Sequence, residues 1–100
     1  MHPTPLLLTL TVTAYCTCPV CCAPYADGIT AAGAVATEGR TIAASPRWKM
    51  GTVMYIKGVG VRVVEDRGEA ITHGRLDVYF DSHEEALEFG VRELEVRVWR

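Results

Sequence analysis

The chain has 100 residues, 49% of them hydrophobic and 22% charged, which suits one small folded domain and excludes a disordered or collagen-like chain. Ten Lys and Arg against twelve Asp and Glu leave a formal charge of −2, too few cations for a dedicated nucleic-acid binder. No apolar run approaches the ~20 residues that span a bilayer, so neither nucleic acid nor a membrane is an expected partner.

The run Leu6–Leu10 is too short for a secretory leader, and it lacks a cationic start and a small-residue cleavage site. The expectation is a chain not exported by the usual route, or one whose leader has been removed. From Leu6 to Tyr15, apolar Leu6, Leu8, Leu10, Val12 and Ala14 alternate with a threonine-rich set, the period of a strand. Residues 16–51 are rich in Gly, Ala, Pro and Cys and read as loops and short extended pieces. Thr52–Lys57 and Val59–Glu65 form a predicted hairpin around Gly58 and Gly60. Leu76, Val78 and Phe80 lie on one face of a further strand and Asp77 and Tyr79 on the other. Ser82 with Glu85 three residues on is a capping box, so a short helix follows, with Ala86, Leu87 and Phe89 as its apolar side and Gly90 as its stop. Leu94, Val96 and Val98 mark the last strand. The sum is a single, mainly β domain over residues 1–100, of about six strands with one short helix. Closure into a barrel would protect its edges.

Charge is unevenly distributed. Residues 1–39 hold two acids and no bases, residues 40–75 seven bases against three acids, and residues 76–100 seven acids against three bases. A carboxylate in the middle segment would sit in cationic surroundings able to recruit an anionic substrate. The densest group of reactive side chains begins there, from Glu65-Asp66-Arg67 through Asp77 to Asp81-Ser82. Asp66 ends an apolar strand two residues before Gly68, a position open either to catalysis or to capping a turn. Asp77 lies opposite the apolar row of its strand. Asp81 stands at a strand-to-helix corner, where an Asx turn or cap competes with a catalytic role.

Val64-Glu65-Asp66-Arg67-Gly68-Glu69-Ala70-Ile71 and Arg75-Leu76-Asp77-Val78-Tyr79-Phe80-Asp81-Ser82-His83 resemble the 3D domain, the family named for its three aspartates. Val12-Thr13-Ala14-Tyr15-Cys16, Thr30-Ala31-Ala32-Gly33, Gly39-Arg40-Thr41-Ile42-Ala43 and Gly51-Thr52-Val53-Met54-Tyr55-Ile56 extend the resemblance over residues 9 to 99. It implies a double-psi β-barrel, similar to the catalytic barrel of membrane-bound lytic transglycosylase A and of stationary-phase muralytic proteins. It also implies peptidoglycan glycan strands as the partner and a site of action at the bacterial cell wall; a monomer that needs no cofactor is the expectation beside it.

Carried over position by position, Asp66 matches the catalytic acid/base, and Asp77 and Asp81 match the second and third aspartates. Tyr15, Thr30, Arg40, Gly68, Glu69, Arg75 and Tyr79 are the candidate substrate-binding residues beside them. One carboxyl group suffices to cleave a β-1,4 glycosidic bond without water: it protonates the leaving oxygen, then accepts a proton from the muramic acid C6 hydroxyl as that oxygen attacks the anomeric carbon. Glu65, Glu69 and Asp77 are candidate neighbours that would help it stay protonated. The sequence departs from the family pattern at Arg67-Gly68-Glu69, where a small hydroxyl residue and two glycines are usual. It also has Thr72-His73-Gly74 for a lysine-glycine-asparagine stretch, Ser45 for an aspartate and Ala32 for a serine. Two alternative activities therefore stand beside the lytic one: a non-catalytic wall-binding barrel and a hydrolytic muramidase.

Cys16, Cys18, Cys21 and Cys22 put four thiols within seven residues. In a small chain aimed at the cell wall an even count favours disulfides, with pairing across the turn at Pro19 preferred over a strained Cys21–Cys22 bridge. Zinc is the competing reading, but four sulfurs this close can hardly surround one tetrahedral ion. The expectation is a structural disulfide or reduced buried thiols. Among the aromatic residues, Trp48 is open to either packing or sugar stacking, Trp99 reads as packing, and Tyr15 and Tyr79 read as groove residues.

Overall fold

A computed structural model describes residues 4–16, 29–67 and 75–99. Among these described residues, six strands and one helix follow in chain order: β1 (Leu6–Tyr15), β2 (Thr41–Ala44), β3 (Val53–Ile56), β4 (Gly60–Asp66), β5 (Arg75–Tyr79), α1 (His83–Phe89) and β6 (Arg92–Trp99). The strands close into a barrel in the order β1-β5-β2-β4-β3-β6. β1 with β5 and β2 with β4 run parallel, and the other four pairings are antiparallel. This closed, mixed, six-stranded barrel, with one short helix among the described residues, is the predicted fold class, and it is compatible with a double-psi arrangement. No helix among the described residues is long and apolar enough to cross a membrane.

Alternation along each strand decides what enters the barrel. Val12, Ile42, Met54, Ile56, Val64, Leu76, Val78, Val96 and Val98 are all fully buried. They meet as cross-strand partners: Val12 faces Leu76, Ile42 faces both Val78 and Val64, and Met54 faces Val98. Each such side chain contributes about 1.5–3 kcal/mol by leaving water. The hairpin between β3 and β4 turns at Gly58, whose φ of 83° a side-chain-bearing residue adopts only with strain.

Two elements differ from expectation. Thr41–Ala44 is a strand inside the segment read as loops, and all four of its residues are buried. It lies between β5 and β4, so neighbours on both sides impose the extended conformation. The helix begins as predicted: Ser82 accepts the Glu85 N–H, and Gly90 ends it at φ 66°. Its buried side, however, is Ala86 and Phe89, one turn apart, while Leu87 points to solvent. Arg92 takes up the helix end, donating from Nε to the Phe89 carbonyl at 3.0 Å with its guanidinium over the Phe89 ring.

Candidate active site

The site lies on the outer face of β1, β5, β2 and β4. Because directly paired residues share a face, the register places Thr13, Asp77, Ala43 and Asp66 in one row across these four strands. Asp66 joins the row through a bulge. Ile42 pairs with Val64, yet the next residue, Ala43, pairs with Asp66, leaving Glu65 as the extra residue. Strict alternation would have turned Asp66 inward after Glu65; the bulge puts both carboxylates outside.

The two oxygens of Asp66 have different surroundings. Oδ1 accepts two backbone N–H groups, from Ala31 and from Arg67, each at 2.9 Å. Oδ2 accepts the Tyr15 hydroxyl at 2.9 Å. The Ala31 donor is aimed by a tight turn, in which Thr30 N–H bonds the Ala34 carbonyl and Gly33 N–H the Thr30 carbonyl, with Gly33 at φ 81°. Ala32 N–H anchors that turn to β4 through the Glu65 carbonyl at 3.0 Å. Tyr15 is steadied by an edge-on contact with Tyr79, ring centroids 5.5 Å apart. Oδ1, held by two N–H donors, has no room for a proton facing them. Oδ2 is left beside the Tyr15 hydroxyl, a group that can donate or accept a hydrogen bond.

The neighbouring carboxylates are both held by other groups. Glu65 Oε1 accepts Arg40 Nε at 3.0 Å and the Thr41 hydroxyl at 2.8 Å. Asp77 accepts the Thr13 hydroxyl and lies 3.8 Å from Arg75, which also donates to Thr13 at 3.1 Å. Those partners lie on β1 (Thr13) and on β5 itself (Arg75). Asp81 is exposed at the corner before α1; its backbone N–H donates to Glu38 at 2.9 Å.

Of the candidate binding residues, Tyr15, Tyr79, Thr30 and Arg40 gather around Asp66 and Glu65, whereas Arg75 belongs with Asp77. Thr30 is buried, its hydroxyl accepting the Ala34 N–H inside the turn. Gly68, Glu69, His73, Cys18, Cys21 and Cys22 lie outside the described residues. Cys16 is buried and disulfide-bonded, with its sulfur 3.7 Å from His83 Nδ1. Among the described residues no three His, Cys, Asp or Glu side chains are grouped to hold a metal.

Sequence reasoning missed the roles of Thr13, the Ala31 N–H and Arg67. Arg67, seen only as a departure from the family pattern, donates its guanidinium to the Ala44 and Trp48 carbonyls and fastens the segment after β2 beside Asp66. A cavity of about 900 Å³ opens next to that segment, lined by residues 47–53 and Trp99 and not by Asp66.

The family model described as the 3D domain matches residues 40–100, which span β2 to β6 with Asp66, Asp77 and Asp81. The chain belongs to the 3D domain family. No curated protein matches it. The 3D domain is generally linked to barrel proteins that act on peptidoglycan. In this 3D domain, the first aspartate is the one whose carboxylate is divided between two backbone donors and a tyrosine.

Proposed function

We propose that this 3D domain cleaves the β-1,4 bond between N-acetylmuramic acid and N-acetylglucosamine in peptidoglycan without consuming water. Asp66, as the carboxylic acid, donates the Oδ2 proton to the glycosidic oxygen while the bond from the muramic anomeric carbon to that oxygen breaks. The muramic C6 hydroxyl then attacks the anomeric carbon and gives its proton to Oδ2. One carbon–oxygen bond is lost and one formed, the proton passes from O6 to the leaving oxygen, and Asp66 ends protonated as it began. The product ends in 1,6-anhydro-N-acetylmuramic acid.

The observation that carries this reading is the division of labour within Asp66: Oδ1 fixed by backbone, Oδ2 beside a hydroxyl able to act as donor or acceptor. A hydrolytic route would need a second carboxyl group about 5–5.5 Å or about 6.5–9.5 Å away to attack the sugar or activate water. Among the described residues, Glu65 and Asp77 on the same face of the sheet are each held by a hydroxyl and an arginine, which favours the single-acid route. Asp66→Asn keeps the side-chain shape and removes the exchangeable acid. The variant is expected to retain the wild-type unfolding transition and release no soluble fragments from purified cell walls. Undiminished release would remove Asp66 from the mechanism.

A further inference from the structure

The cavity beside the active site has its own chemistry. Trp99, Met50 and Val53 give it an apolar wall, and Arg47 and Lys49 stand on it with no acid among its described lining residues. Met50, Val53, Arg47 and Lys49 are all exposed. Arg47 is held in place by its own neighbour, its guanidinium lying 4.8 Å from the centre of the Trp48 ring. The cavity is also tied to the catalytic strand. Gly51 N–H bonds the Val64 carbonyl at 2.7 Å, and the Trp48 carbonyl accepts the guanidinium of Arg67, the residue after Asp66.

We propose that this cavity binds the short peptide borne by the muramic acid lactyl group, making the enzyme selective for peptide-bearing glycan. The inference rests on the function proposed above. Such stems carry free carboxylates and alanine methyl groups, the complement of two cations on an apolar wall. Four extended residues reach about 13–14 Å, and Arg67, which follows Asp66 and donates to the Trp48 carbonyl, marks the route from Asp66 to the cavity. Charge pairing at an exposed rim adds selectivity more than raw affinity, so discrimination between substrates is the expected consequence.

The test uses the full chain and the stem peptide freed from glycan. The protein has two tryptophans, so its two indole N–H signals in an NMR spectrum can be told apart. The Trp99 signal is expected to shift saturably with peptide, and the double variant Arg47→Glu/Lys49→Glu to bind it at least about fivefold more weakly. The same variant should dissolve native wall more slowly, yet match the wild type on glycan stripped of peptide. An indole signal indifferent to peptide, a shift that follows protein concentration instead (a self-association face), or equal slowing on both substrates overturns the proposal. Peptide binding by a wild-type chain that cleaves neither substrate would leave the cavity assignment standing and overturn the enzymatic one.

Discussion

Removing the Tyr15 hydroxyl is the sharpest probe of how Asp66 is prepared. Tyr15→Phe deletes the one side-chain hydrogen bond to Asp66 among the described residues, the 2.9 Å contact to Oδ2, and leaves both backbone donors on Oδ1. A hydrogen bond to a charged group contributes about 1.5–3 kcal/mol, and if all of it is expressed while the proton moves, kcat/KM falls about ten- to a hundredfold. The phenyl ring keeps the edge contact with Tyr79, so the cost in unfolding free energy should stay within the worth of that hydrogen bond, about 1.5–3 kcal/mol. Initial rates of fragment release from purified wall, paired with urea denaturation, separate the two quantities. A rate equal to the wild type in a fully folded variant would refute the assignment of Oδ2 as the oxygen that exchanges the proton.

Three further outcomes follow from the fold. Ile42→Ala removes a fully buried side chain wedged between Val78 and Val64 and should cost about 2–5 kcal/mol in urea unfolding. Gly58→Ala meets no atom within 4 Å, so its expected cost of about 1 kcal/mol is purely that of a positive φ, and activity should survive in conditions where the variant is folded. Asp77→Asn weakens the Thr13 and Arg75 contacts. It is expected to lower stability by about 1 kcal/mol while fragment release continues, whereas complete loss of release in a folded variant would give Asp77 a direct part in the chemistry.

Most strands were legible because their inward and outward residues alternate, as Leu10 and Val12 do against Thr9, Thr11 and Thr13. Thr41–Ala44 escaped because a four-residue strand buried throughout shows no alternation, and its conformation is set by β4 and β5 rather than by its own residues. The importance of Asp66, Asp77 and Asp81 came from the resemblance to the 3D domain. What each touches did not, since Tyr15 and Asp66 are 51 positions apart and meet only once the barrel closes. The bulge at Glu65, which turns Asp66 outward, leaves no mark in the sequence pattern. Arg67 looked like an intrusion because its partners are backbone carbonyls, to which a sequence gives no address.

Mass spectrometry of the fragments released from purified peptidoglycan tests the central claim most directly, because it reports bond cleavage and proton routing together. The account predicts muropeptides with 1,6-anhydro ends, one water lighter than hydrolytic products, from the wild-type protein and none from Asp66→Asn. Fragments bearing reducing muramic acid ends, or the same anhydro fragments from the asparagine variant, would contradict it.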